Sequence, residues 1–351
     1  MGMIWLLSRR DLRWRWRRLV MALAGTTVAF ALTLVLTGVR EGVDLEANRT
    51  VESLGADAFV VSDSVTGPFT SLGQIPAAWA DQLSQGAGIE DAAAVVSVRH
   101  RVESAPATDV YLVGAVPGRV GMPDVSEGRA PQREGEAAIG SAADRRIGDR
   151  VEVGGRDLEI VGIVSGASVW LTVPVLYTTL SEAQALVFGG EPAATVLLTR
   201  GVPDQLPDGL KILTPSEAVS DLLQPLETAV DTISFIQVLL WIMAATIVGS
   251  MLYISALDRA RDFAVLKAFG TRNSTLAGTL VFEAFVISTV SALGALALSR
   301  PLGTLHPAVV SLPAWTVFAL IAFALAVGAV GALAGARRAV AVDPAEAFAS
   351  L

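Results

Sequence analysis

The chain has no cysteine, only two lysines and two histidines, and charged side chains make up just 17% of it. Each shortage excludes a class of chemistry. Without cysteine there is no disulfide, no thiolate nucleophile and no thiolate-bound zinc. With Lys211 and Lys267 as the only lysines, no G-x-x-x-x-G-K-[ST] loop occurs, so the chain carries no P-loop ATP site of its own. His100 and His306 are too few for a histidine-rich metal site. Neither is spaced to activate Ser165 or Ser168 in "GIVSGASVW" (162–170), which reads as a loop after a strand. No catalytic residue, bound cofactor or metal is expected in this chain. A net charge of −8 gives no basic footprint, so no nucleic-acid partner is expected either.

The shortage of charge says most. A soluble domain carries about a quarter charged residues. Here 52% of the residues are apolar and the mean hydropathy is +0.56. The apolar surplus is gathered into four runs, 19–39, 233–257, 275–299 and 315–336. Each matches a ~30 Å hydrocarbon core, which takes roughly 20 helical residues. The expected fold is a membrane α-helical protein of four transmembrane helices. The first run has a rival reading as a secretory signal peptide, since six arginines precede it. It exceeds the ~7–15 apolar residues of such a signal, and no small-x-small cleavage site ends it.

Charge sets the orientation. Residues 1–18, 258–273 and 337–351 lie on one side if there are four spans, and together they hold 12 basic against 5 acidic residues. The positive-inside rule places these segments in the cytoplasm of a cell-membrane protein. Residues 41–230 reverse the balance, with 27 acidic and 12 basic residues, and are expected outside. Both termini are then cytoplasmic, and 300–314 is a second outer loop. In the first segment Trp5, Trp14 and Trp16 alternate with arginines. Indoles at headgroup level beside guanidinium groups suit a helix lying in the lipid interface, or an ordinary positive-inside flank.

The external segment alternates strand and turn signals. "DAFVV" (57–61), "DVYLVGAV" (109–116), "PVLYTTL" (174–180) and "ATVLLT" (194–199) read as strands. In "DRVEVGGRDLEIVGIV" (149–164) two alternating runs flank Gly154-Gly155, the signature of a two-residue hairpin. Val151 and Val153 would then share a face with Leu158 and Ile160. Short helices are expected over 76–84, after Pro76, and over 181–187, capped by Ser181. The whole reads as an α+β domain over 56–214, inserted between the first two spans. Polar, helix-compatible stretches at 40–55, ending in Gly55, and at 215–232, interrupted by Pro225, read as stalks joining it to the membrane.

Between the second and third runs lies "RARDFAVLKAFG" (259–270), too long for a plain return loop. Arg259 to Phe269 suits three helical turns, with Phe263, Leu266 and Phe269 on one side and Gly270 ending them. A surface helix presented to a cytoplasmic partner, with aromatic anchors for the partner's groove, explains it economically. A fortuitously amphipathic loop is the alternative. Glu283, inside the third run, is an intramembrane charge and so a functional candidate. It competes with a plainer role at headgroup depth beside Lys267 and Arg272.

These residues carry a resemblance. "RARDFAVLKAFGTRNSTLAGTLVFEAF" (259–285) resembles the segment between spans 2 and 3 of MacB/FtsX-type (type VII) ABC transporter permeases. In that family an Arg, an acidic-hydrophobic pair, Leu, Lys or Arg, Ala, a hydrophobic residue and Gly precede a Glu early in span 3. Arg261, Asp262, Phe263, Leu266, Lys267, Ala268, Phe269, Gly270 and Glu283 occupy those places. "AVDPAEAF" (341–348) is similar to the family's closing motif. "GADAFVV" (55–61), "SEGRAP" (126–131), the 135–164 stretch and "PVLYTTLSEAQAL" (174–186) resemble the extracytoplasmic core domain of MacB-like members.

The resemblance implies a homodimer of four-span permeases bound to two copies of a separate ATPase, which would hold the ATP and Mg. The helix around Arg259–Gly270 would couple to that ATPase. Unlike MacB itself, the chain has no fused nucleotide-binding domain. Three functions compete. One is ATP-driven export or extraction of a hydrophobic client (lipid, lipoprotein or peptide) at the outer face. Another is an FtsX-like signal relay that activates a cell-wall hydrolase. The third is uptake of a polar solute such as the amino acid glutamine. The span middles argue against the last, because they hold no charge, amide or proline.

Overall fold

Gly154 and Gly155 have φ of +57° and +73°, so the hairpin they join has the two left-handed residues of a type I′ turn. Strands β7 (Arg150–Val153) and β8 (Arg156–Val164) follow from it in antiparallel register, Val151 opposite Leu158 and Val153 opposite Arg156. Val151, Val153, Leu158 and Ile160 are buried in one cluster, as the alternation requires. The computed structural model describes residues 16–102, 108–170, 173–258, 265, 273–304, 315–323, 325–326 and 329–330. The chain divides into two compact units, Gly42–Ala229 and the combination of Met1–Glu41 with Val230–Leu351.

The Gly42–Ala229 unit is built on an 11-stranded mixed sheet. Besides β7 and β8 its strands are β1 (Ala58–Ser62), β3 (Asp91–Val102), β4 (Thr108–Ala115), β5 (Glu127–Gly128), β6 (Glu136–Gly140), β9 (Ser168–Val169), β10 (Val173–Thr179), β12 (Val196–Arg200) and β13 (Leu210–Leu213). The order along the main path is β13-β1-β12-β3-β4-β10-β6-β8-β5, with β7 against β3 and β8, and β9 against β10. Among the described residues, β4 with β10 and β6 with β8 are the parallel pairs. A separate ribbon pairs β2 (Ile75–Pro76) with β11 (Ala193–Ala194).

Both sheet faces are covered, so successive residues serve opposite cores. Phe59 and Val61 of β1, Tyr111 and Val113 of β4, and Val175 and Tyr177 of β10 face one cluster; Val60, Leu112 and Leu176 face the other side. Helices α2 (Trp79–Ser84) and α3 (Leu180–Phe188) pack on that second side. Gly114 admits α3, since a Cβ there would overlap that of Ala183.

The first side is covered by the end of a long helix, α1 (Trp16–Ser53), and by α4 (Pro215–Leu223). Ala47, Val51 and Leu54 from the former and Ala218 and Leu222 from the latter are buried with the sheet. The stretches 40–55 and 215–232 were expected to stand clear as stalks. Residues 42–54 and 215–223 instead form one layer of the folded unit, which is wider than 56–214. Gly55 does end the helix as expected, at φ +66° with its N–H on Glu52 O at 3.0 Å. Two smaller expectations are corrected. Pro76 lies in β2, where the ribbon uses it as a strand end, and α2 starts at Trp79. Thr179, not Ser181, caps α3, its hydroxyl accepting from Glu182 N at 3.3 Å.

In the other unit, α5 (Glu227–Asp258) and α6 (Asn273–Thr304) pack with the first part of α1 and with helical residues 315–323. Small residues make the close contacts: Ala29, Ala31, Ala244, Ala292 and Ala295 are buried, and a Cβ on Gly294 would lie 3.0 Å from Thr27. Trp241 meets Phe323 edge-on at 3.8 Å between centroids. Thr33 and Thr246 donate back to their own helices, to Ala29 O and Ile242 O. The outward surface is apolar, with Phe235, Leu293 and Phe318 between 58% and 72% exposed. Among the described residues two stretches, Leu23–Ser53 and Pro215–Met251, are long and apolar enough to cross a membrane, and Phe285–Ser299 is a shorter apolar helix.

Candidate functional site

Helix α4 starts with a capping box. Pro215 fills its first turn, Thr214 Oγ1 accepts from Glu217 N at 3.3 Å, and Glu217 Oε2 accepts from Thr214 N at 2.8 Å. This fixed start directs Ala218, Asp221 and Leu222 into the sheet. Asp221 is only 8% exposed, and among the described residues no cation pairs with it. Backbone donors take that place. Its Oδ2 accepts from Phe69 N at 2.7 Å and from Thr70 N at 3.2 Å, while Oδ1 accepts from the Thr70 hydroxyl.

The segment that Asp221 grips is the connection from β1 to β2. It is held from the sheet as well. Ser97 Oγ of β3 donates to Pro68 O at 2.7 Å, and the Tyr111 hydroxyl of β4 donates to Phe69 O at 2.9 Å. Burial pushes the Tyr111 phenol well above its ordinary pKa, so it remains a donor at any physiological pH. At Gly67 a Cβ would overlap the Asp221 carboxylate, which explains the glycine.

Helix α1 grips a second segment in the same manner. Glu46, 7% exposed, accepts from Ser168 Oγ, and Thr50 Oγ1 donates to Ser168 O at 2.9 Å. Ser168 belongs to β9, and Gly140 lets this segment lie close, since a Cβ there would overlap Ala167 O. Two residues on, Trp170 Nε1 donates to Leu222 O of α4 at 2.6 Å. A row of tilted rings, Phe59, Phe69, Tyr111 and Trp170, links β1, the gripped segment and β4 at centroid spacings of 5.4–6.2 Å.

Each of the two helices that flank the external domain in sequence thus sends one buried carboxylate into it, and each carboxylate holds a different loop. The carboxylates only accept; the Ser168 hydroxyl donates to Glu46, and the Ser168 carbonyl accepts from the Thr50 hydroxyl. His100 Nδ1 lies on Arg101 N at 2.9 Å, away from both. The arrangement ties α1 to the Ser168 segment and α4 to the segment at Phe69 and Thr70 through buried hydrogen bonds.

Arg259, Arg261, Asp262, Phe263, Leu266, Lys267, Phe269 and Gly270 fall outside the described residues, as do Trp5 and Trp14. Trp16 is the first residue of α1, and Glu283 lies within α6. Sequence reasoning missed Glu46, Asp221 and Trp170. The signal available was a carboxylate set among Val43 and Ala47, or Ala218 and Leu222, on an otherwise apolar helical stripe.

Comparison with known proteins covers nearly the whole chain. The model of the MacB-like periplasmic core domain matches residues 19–206, and that of the FtsX-like permease C-terminal matches 232–344. An uncharacterized ABC transporter permease of Mycobacterium bovis is 43% identical over 342 residues, 97% of each chain. One of Mycobacterium tuberculosis (strain CDC 1551) is 41% identical, again over 97% of each. Among solved structures, the extracellular domain of the noncanonic ABC-type transporter YknZ from Gram-positive bacteria aligns with 45% of this chain and 99% of its own, at 12% identity and a TM-score of 0.34.

Proposed function

The chain belongs to the family of FtsX-like ABC transporter permeases with a MacB-like core domain, and on that premise we propose that it converts ATP hydrolysis by a separate subunit into motion of its external domain. It crosses the membrane four times, at 19–39, 233–257, 275–299 and 315–336, with both termini in the cytoplasm. Two permeases pair, and each docks the helix at 258–273 on one of two ATPase subunits, which hold the ATP and Mg. The external domain then acts on a hydrophobic client, a lipid, lipoprotein or peptide, at the outer face.

The observation that carries this reading is the pair of buried grips, Glu46 on α1 and Asp221 on α4. A domain hung on flexible linkers would not respond to helix motion. One in which the helices leading to the membrane are hydrogen-bonded into the fold must respond. Ala58–Ser62 and its partners form the platform on which the two gripped loops would move.

The docking half is tested on the helix at 258–273. Phe263→Ala or Lys267→Glu is expected to weaken association with the ATPase by roughly thirtyfold, since truncating a buried interfacial anchor costs about 2 kcal/mol. Co-purification and ATP turnover both measure it. Wild-type values of both would remove the proposed docking helix.

A further inference from the structure

Between α4 and α5 the helical path is interrupted by a 3-10 turn, Gln224–Leu226, with Pro225 at its centre. A 3-10 turn offers each carbonyl the N–H three residues on. For Leu222 that residue is Pro225, which has none. The vacancy is filled from across the domain by the indole of Trp170, at 2.6 Å.

Trp170 is held there under strain. Its φ of +52° lies in the left-handed region, and among the described residues only Asp144 shares this among non-glycines. A bulky residue stays in that region only when its surroundings hold it. Three contacts do so: the bond to Leu222 O, the edge-on ring of Tyr111 at 5.4 Å and the Arg99 guanidinium 5.5 Å over the indole. Arg99 is itself tied to Asp109 at 2.6 Å.

We propose that Trp170 is a latch that holds the Pro225 interruption in one geometry, and that its release lets the α4–α5 connection change shape. Two opposed quantities meet at one side chain. The contacts favour the latched form, and the backbone strain at Trp170 favours release. Such opposition leaves the latched form favoured by a margin small enough for one lost contact to shift the balance, as a switch element requires. That ATP drives the release rests on the coupling proposed above. The latch itself does not.

The test uses the full permease with its ATPase in lipid nanodiscs. Because the chain has no cysteine, a chain with cysteines at Ser216 and Asp231 takes one spin label on either side of the interruption, and dilution with excess unlabelled permease leaves only the distance within one chain to be read. Wild type should show one narrow label distance without nucleotide and a second when ATP and vanadate trap the ATPase. Trp170→Phe keeps a ring but loses the donor. It should show the second distance without nucleotide, the ratio of the two forms shifting roughly fivefold or more for one lost hydrogen bond.

Pro225→Ala restores an N–H within the turn and makes the indole bond dispensable. It should give one narrow distance that nucleotide no longer changes. If Trp170→Phe fails to fold, Pro225→Ala decides alone, and a wild-type response from it overturns the latch. Trp170→Phe with wild-type distances in both nucleotide states also overturns it, while leaving the coupling reading intact. A wild type that ignores nucleotide while Trp170→Phe shifts the distances would keep the latch and overturn the coupling.

Discussion

Asp221→Leu is expected to destabilise the external domain by about 3 kcal/mol or more, the cost of leaving charged-partner hydrogen bonds broken inside a fold. For a unit of this size that lowers Tm by roughly 6–12 °C. Phe69 N and Thr70 N lose their acceptor, and the Thr70 hydroxyl is left with Gln224 Oε1 alone, at 3.2 Å. No water-exposed path replaces it, because Asp221 is 8% exposed and α4 covers it. Asp221→Asn should cost less, since the amide oxygen can still accept from Phe69 N and Thr70 N, while its amino group faces the Thr70 hydroxyl. Hydrogen exchange on the purified permease localises the effect, with faster exchange expected at Phe69 and Thr70. An unchanged Tm together with unchanged exchange there would mean that Asp221 does not grip the loop.

Gly140→Ala should act on the other grip with similar force. A methyl group at 140 would overlap the backbone carbonyl of Ala167, which no rotamer change relieves. Insertion of this kind costs about 1–3 kcal/mol and occasionally more. The 166–168 backbone must move, taking Ser168 from Glu46 and Thr50. The expected result is a lower Tm and faster exchange at 166–169 and at the end of α1. Gly249→Ala is the control, because nothing lies within 4 Å of its Cβ position and alanine favours a helix. Equal behaviour of the two variants would show that the close approach at 140 has no consequence.

Much of the external domain was legible from local pattern. The Gly154-Gly155 hairpin, the strand at 57–61 and the helix end at Gly55 each rest on neighbours in sequence, where turn chemistry and alternation decide the outcome. The cap of α3 was misplaced by two residues because Thr179 and Ser181 are both hydroxyls, and their side chains meet at 3.3 Å. The stretches at 40–55 and 215–232 read as stalks because charges surround a thin apolar stripe. Val43, Ala47, Val51 and Leu54 recur at helical spacing and are all buried.

The grips were not legible. Asp221 meets Phe69 across 152 residues, and Glu46 meets Ser168 across 122. A carboxylate on a helix reads as solvated until the sheet brings such a partner to it. Gln237 was passed over for a related reason: its amide reaches Thr37 Oγ1 on α1, a contact that only helix packing creates.

On the proposed mechanism, ATP hydrolysed on the cytoplasmic side moves the external domain through α1 and α4. The direct measurement is hydrogen exchange of the permease–ATPase complex in nanodiscs, with and without trapped ATP. Trapping should change protection at 66–71, 166–170 and 222–227, the gripped loops and the Pro225 turn, while β3 and β4 stay protected. An external domain whose exchange is the same in both states, while the ATPase turns over ATP, would contradict it.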